Sequence, residues 1–298
     1  MKTLIIKLGA LGDVARTTAL LHALEGEVTW VTRGAALPLL PRERLAAAHD
    51  ITAADALRRQ RFNLVLSLDD DREAAALASE VDSGAKIGTY LSPAGELRYT
   101  DSAAPWFDLG LISRLGKAEA DRRKMANERT YQEFLFAMLG RRFSGEEYCI
   151  DLAGHRMRQR SGSLRVGLDD RAGPRWPMKR WPGYRELAGL LAADGCQVSF
   201  FQQRPTLADF IGDIAACDLV VCGDTLTLHL ALALGVRTVA LFVCTSPAEI
   251  HGYGRLTKVA SPLWKDYPYR REYSPEPGAA ITAAEVHEQL LRLDLMAI

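Results

Sequence analysis

A carboxylate, a cluster of cations and a helix N-terminus are the groups of this sequence that could do chemistry, and each follows an apolar run. The carboxylate is Asp13, which closes the turn Gly9-Ala10-Leu11-Gly12-Asp13 directly after residues 4–8. A carboxylate at the carboxyl end of a parallel strand stands on the edge where open α/β sheets hold their ligands, although the same residue can simply cap the next helix. The helix N-terminus lies in Cys222-Gly223-Asp224-Thr225-Leu226-Thr227-Leu228-His229, which reads as a buried strand, a tight turn and a helix opening. The first turn of a helix offers unpaired N–H groups and the positive end of its dipole, which suit a phosphate or diphosphate. Asp224 and Thr225 could equally cap that helix, and His229, one turn further on, either faces the same ligand or packs. The cations Arg171, Arg175, Lys179 and Arg180 share a loop with Trp176 and Trp181. Basic side chains just before a helix N-terminus are placed to neutralise a diphosphate, with lysine as a point charge. The competing account is surface charge with tryptophan packed on the helix.

The elements that must position these groups alternate strand and helix, which defines an α/β chain. Strands are expected over residues 4–8, 28–32, 62–68 and 85–89, and again over 164–168, 198–201, 218–221 and 236–243. Helices fall at 14–24, 53–60, 74–79, 128–139, 182–193 and 207–216, and the capping box Thr282-Ala283-Ala284-Glu285 starts a last one. Gly140 reads as a C-cap and Pro182 as a first helical residue. Asp69-Asp70-Asp71 reads as a solvated turn and cap rather than a cation site. Residues 90–124 lose their periodicity and are expected to form an irregular excursion that touches an acceptor. Residues 141–163 read as a polar linker whose Arg156, Arg158 and Arg160 are solvated charge. Two domains follow, 1–155 and 156–298.

The bulk numbers exclude several classes. Lys plus Arg equals Asp plus Glu at 37 each among 298 residues, so no net field recruits nucleic acid. Five cysteines without CxxC spacing indicate neither a disulfide framework nor a zinc site, and a reducing cytoplasm fits them best. The N-terminus reads as a first strand rather than a signal peptide, and no apolar run approaches the roughly 18 to 20 residues of a membrane span, so membrane contact is at most peripheral. GxGxxG is incomplete, because Val14 and Ala15 hold the third glycine position, and no P-loop occurs. A nicotinamide oxidoreductase is disfavoured.

Four segments taken together resemble the bacterial heptosyltransferases of glycosyltransferase family nine. Ile6-Lys7-Leu8-Gly9-Ala10-Leu11-Gly12-Asp13-Val14 is similar to the family's first strand and LGD turn, and Lys179-Arg180-Trp181-Pro182 to its K-x-W-P segment. Asp224-Thr225 with His229 resembles its D-T-G-L-S-H stretch, and Leu241-Phe242 through Thr245-Ser246-Pro247 to Gly252-Tyr253-Gly254 the segment after it. The resemblance implies a GT-B fold, two Rossmann-like domains facing each other across a cleft. The acceptor is then expected on the first domain and the nucleotide sugar on the second, with the last helix returning to the first domain. It also implies transfer of heptose or a related sugar from ADP-heptose to an acceptor hydroxyl in lipopolysaccharide or another bacterial glycan, or to a protein or small molecule. The family's base falls on Asp13 beside Gly12, and its phosphate-binding lysine on Lys179 beside Arg180. Its diphosphate-facing helix N-terminus falls on Asp224 and Thr225, with His229 nearby. The implied reaction is inverting and metal-independent, needs no cofactor, and takes place in the cytoplasm, at the inner face of the membrane where the acceptor is lipid-borne.

The chain departs from the family's pattern in two places. Leu226 and Leu228 stand where the family commonly has glycine and serine, and the connection after Phe201 is short. That connection elsewhere supplies a glutamate to the nucleotide ribose, and Gln203 is the side chain here that stands in its place. The alternative these departures raise is a sugar-nucleotide-binding protein of the same fold with impaired turnover.

Overall fold

The apolar runs become the central strands of two separate sheets. The computed structural model describes residues 1–159 and 162–293, so Arg160 of the expected linker lies outside the described residues. It divides into two units, Met1–Asp151 and Leu152–Ile298, a boundary within the segment where a linker was expected.

The first unit holds β1 (Lys2–Ile6), β2 (Glu27–Thr32), β3 (Ala47–Asp50), β4 (Arg61–Ser67), β5 (Asp82–Leu91) and β6 (Leu97–Tyr99). Their order in the sheet is β3-β2-β1-β4-β5-β6, parallel throughout except for the β5–β6 pair. The order reverses between β1 and β4, and in an open parallel sheet that reversal opens a crevice at the carboxyl ends of the two strands. Helices α1 (Leu11–Thr17), α2 (Arg72–Glu80), α3 (Ala104–Phe107), α4 (Lys117–Met125) and α5 (Tyr131–Met138) complete the unit. On one face of the sheet, Leu4, Ile6, Val31 and Val65 pack with Ala74, Leu77 and Ala78 of α2.

Several expectations are corrected in this unit. The expected helix over 14–24 is α1 followed by a 3-10 turn at Thr18–His22, and the one over 53–60 is a 3-10 segment, Ile51–Arg59. Residues 90–124 are more ordered than their composition suggests: β5 and β6 form an antiparallel pair, and α3 and α4 follow. Trp106 of α3 packs edge-on against Tyr131 of α5, their centroids 4.8 Å apart. The acidic run splits in function: Asp71 caps α2 by accepting from Glu73 N at 2.7 Å, whereas Asp69 is buried.

The second unit contains β7 (Arg165–Asp169), α6 (Tyr184–Ala193), β8 (Gln197–Phe200), α7 (Leu207–Ala215), β9 (Leu219–Gly223), α8 (Leu226–Leu234), β10 (Arg237–Phe242), β11 (Leu256–Ala260), α9 (Glu276–Ala279) and α10 (Ala283–Leu291). Its strands are all parallel in the order β11-β10-β9-β7-β8, and the order reverses between β7 and β9. Helix α6 starts two residues after Pro182, with Gly183 at its N-cap. Trp181 lies in the core, edge-on to Tyr184 at 4.8 Å and donating from Nε1 to Ile281 O at 2.8 Å. Ala283, Val286 and Leu290 of α10 belong to the same core. The linker charge is corrected as well. Arg158 forms a 2.6 Å ion pair with the buried Asp218, which also accepts from Arg165 N at 2.8 Å, and this ties the incoming chain to β7.

Candidate functional site

The first unit's crevice is built from the turn after β1 and the residue after β4. Lys7 and Asp69 form a 2.6 Å ion pair whose side chains are 7% and 8% exposed. Asp69 also accepts from Leu8 N, and Lys7 Nζ donates to Leu68 O at 3.2 Å, so one buried pair stitches the ends of β1 and β4 together. Burial alone would push the Lys7 pKa down. The Asp69 carboxylate, with Tyr131 and Asp13 behind it, outweighs that and holds the ammonium well above its ordinary range. Gly9 passes directly over the pair. A Cβ there would stand 3.0 Å from Asp69 Oδ1 and 3.2 Å from Lys7 Nζ.

Asp13 sits in the first turn of α1, and its side chain does not cap the helix: the N-cap is Ala10, without a side-chain bond. The carboxylate, 37% exposed, instead lies 2.7 Å from Arg16 Nη2. Arg16 rests on the Tyr131 ring with its guanidinium carbon 4.0 Å from the centroid, and the Tyr131 hydroxyl meets Thr17 Oγ1 at 3.0 Å. Gly12 is half-buried in the same first turn.

The second unit's crevice joins the loop after β7 to the turn after β9. Lys179 Nζ donates to Asp224 O at 2.6 Å and pairs with Asp224 Oδ2 at 2.7 Å, spanning the point where the strand order reverses. Lys179 Nζ also lies 5.5 Å from the Trp176 ring, and the Arg271 guanidinium lies 5.2 Å from the same ring. Asp224 is therefore occupied, and Thr225, the N-cap of α8, makes no side-chain cap bond. Its Oγ1 is buried without a hydrogen-bond partner, as is Oγ1 of Thr245 in the turn after β10. Capping, the plain account of such a threonine, is not what the Thr225 side chain does.

Leu226 is the first helical residue and is not among the residues with positive φ, so the backbone accepts leucine without strain. Leu228 is fully buried in the unit's interior. His229 is also buried, 4% exposed, and engaged within the protein. Arg180 and Gln203 are exposed, the latter in the short connection after β8 where Arg204 pairs with Asp213 at 2.5 Å.

Three groups escaped sequence reasoning. Thr227 Oγ1 donates to the buried Asp169, which also takes Arg171 Nε at 2.6 Å and so ties the cationic loop to α8. Tyr269 reaches over the turn after β10, donating its hydroxyl to the buried Glu249, and its pKa is driven far up by burial and by that carboxylate. At the other end of α8, Arg255 Nη2 donates to Leu232 O at 2.6 Å. Each partner is at least 20 residues away from the group it serves in sequence, and only the last could have been guessed, from a cation near a helix C-terminus. Among the described residues no group of three or more His, Cys, Asp or Glu side chains is arranged to hold a metal ion, and no helix is long and apolar enough to cross a membrane.

Two Rossmann-like units, each with its polar cluster at a reversal of strand order, define the α/β architecture of the GT-B transferases. The family resemblance is borne out: residues 202–279 match the model of glycosyltransferase family 9 (heptosyltransferase). Among solved structures, the chain is similar to the E. coli heptosyltransferase WaaC with ADP-2-deoxy-2-fluoro heptose, at 18% identity over 98% of this chain and 99% of that one, with a TM-score of 0.62. E. coli ADP-heptose lps heptosyltransferase II matches at 18% identity over 99% and 98%, with a TM-score of 0.63. The iron-containing dodecameric glycosyltransferase TibC from enterotoxigenic E. coli H10407 matches at 11% over 98% and 76%, with a TM-score of 0.58. None of the curated protein sequences matches the chain. At these identities the structural likeness establishes the fold.

Proposed function

We propose that this protein is an inverting glycosyltransferase that moves a heptose or related sugar from an ADP-sugar to an acceptor hydroxyl, in lipopolysaccharide or another bacterial glycan. The observation that carries the reading is the second unit's anion site. Lys179, the uncapped N-terminus of α8 and the unpartnered Thr225 hydroxyl lie together at a strand-order reversal. Those groups match a diphosphate in charge and in hydrogen-bond donors. The family-model match over residues 202–279 supports the same assignment, and the similar E. coli heptosyltransferase WaaC has been solved with ADP-2-deoxy-2-fluoro heptose and with ADP.

In the reaction, Asp13 takes the proton of the acceptor hydroxyl as its oxygen attacks the anomeric carbon, and the bond to the diphosphate breaks on the opposite face of the sugar. Negative charge grows on the departing ADP, where Lys179 and the α8 N–H groups stabilise it. Gly12 would stand beside the base in the first unit, and Arg180 beside Lys179 in the second. His229, being buried, supports the helix rather than touching the sugar, and Gln203 stands at the nucleotide end. The diphosphate charge is met by protein groups, so the reaction runs without a metal. The enzyme works in the cytoplasm, at the inner membrane face where the acceptor is lipid-borne.

The test is a transfer and hydrolysis screen of the purified protein against ADP-heptose and other nucleotide sugars, with and without EDTA. Turnover of one donor, insensitive to EDTA and lost in Asp13→Ala while donor binding survives, is the expected result. Binding without turnover across donors and acceptors would overturn the assignment as a transferase.

A further inference from the structure

Four cations share the loop after β7, and the structure sets one of them apart. Arg175 and Arg180 are exposed, and Lys179 is joined to Asp224. Arg171 is fixed twice. Its Nε donates at 2.6 Å to Asp169, a carboxylate only 4% exposed, and its guanidinium carbon lies 5.0 Å from the centroid of Phe210 in α7. Asp169 is held in turn: it ends β7 beside Cys222 of β9 and accepts from the hydroxyl of Thr227, the second residue of α8. Arg171 thus stands at the reversal of strand order, touching the opening turn of α7 directly and that of α8 through Asp169. The bond to Asp169 uses Nε alone. Among the described residues neither Nη group of Arg171 has a hydrogen-bond partner, and the side chain is 34% exposed, so the outer edge of the guanidinium is left for an acceptor.

We propose that Arg171 is a further donor-binding residue, whose Nη edge hydrogen-bonds to the diphosphate of the nucleotide sugar beside the α8 N-terminus and Lys179. This rests on the reading of the second unit as the donor site. A planar guanidinium presents separate edges, so Arg171 can keep its Nε bond to Asp169 and still offer a fork to phosphate oxygens. Lys179 has no such second edge and must share one ammonium between Asp224 and the ligand. The bond to Asp169 and the Phe210 ring also order the arginine before the donor arrives, which lowers the entropy lost on binding.

The experiment is calorimetric titration of ADP into the full-length wild type, Arg171→Met and Arg171→Lys, with a melting curve for each. Arg171→Met is expected to bind ADP at least about tenfold more weakly, the factor that a hydrogen bond between charged groups carries. Arg171→Lys separates ligand binding from support of the fold. Its ammonium can still neutralise Asp169, so the melting temperature is expected to stay near that of the wild type. Once paired, however, it has no second edge to offer, and its ADP affinity is expected to stay close to that of Arg171→Met. Adenosine, which carries no phosphate, is expected to bind all three proteins alike. Wild-type affinity for ADP in either variant would overturn the proposal, as would an equal loss for adenosine. If the wild type itself binds no ADP, the reading of the second unit as the donor site fails, and the role of Arg171 falls with it.

Discussion

At the residue scale, the molecule divides its polar work between two short-range pairs, Asp13–Arg16 and Lys179–Asp224, each bringing one cation within 2.7 Å of one carboxylate. The first pair leaves the acid over a third exposed, and the second leaves both partners nearly covered. Replacing Lys179 by Ala is expected to weaken ADP binding by at least tenfold in calorimetry and to lower kcat by about 100-fold, because the cation acts on charge that grows during bond breaking. An unchanged kcat would show that the lysine serves only ground-state binding. The cysteines give a pH-dependent outcome. Burial pushes the Cys244 thiol up to about 11 and Cys217 up to about 12, despite Lys179 near the former. Since only the thiolate reacts, alkylation of the native protein at pH 8 should spare both, and labelling should climb as pH rises toward those values. Rapid labelling of Cys244 at pH 8, read by peptide mass, would contradict the burial described.

At the element scale, the strands flanking each strand-order reversal are joined by side chains rather than by backbone alone. Lys7 and Asp69 do this for β1 and β4, and removing one partner leaves a buried charge uncompensated. Lys7→Met should therefore cost about 3–5 kcal/mol in denaturant unfolding, with Lys7→Met/Asp69→Asn recovering part of the loss. Gly88 in β5, at φ +101, has no room for a Cβ, which would meet Ser67 O at 1.8 Å. Gly88→Ala is expected to destabilise the first unit by roughly 3 kcal/mol, seen as a lowered melting temperature. Much of this level was legible in the sequence: the apolar runs, the capping box at Thr282 and the two turns at the carboxyl ends of β1 and β9 announced themselves locally. The edge strands did not. β3 is Ala-Ala-His-Asp, with no β-branched residue, and it is a strand because it pairs with β2. The bracing pairs were also hidden, because Lys7 and Asp69 are 62 residues apart and the acidic run around Asp69 looks like surface. Nor did the letters Asp-Thr reveal that Asp224 would pair with a lysine 45 residues earlier.

At the scale of the whole molecule, each unit owns a sheet and a core, so the two fold around separate interiors. Residues 152–298 expressed alone should bind ADP with near full-length affinity, and residues 1–151 should not; the reverse would reassign the donor site. In the intact chain, ADP at 100 times its Kd should add about 2.7 kcal/mol to the stability of whatever unfolds with the second unit. A melting temperature indifferent to ADP would count against the site.

The internal partner of Lys179 bears on how the cycle ends. The Lys179 ammonium is paired with the Asp224 carboxylate, so on the proposed reading a diphosphate would have to compete with that carboxylate for it. On the same reading, that carboxylate would be placed to reclaim the lysine as ADP departs. On the proposed reading, an acid beside this lysine, at first sight a handicap for holding an anion, would favour release of the product.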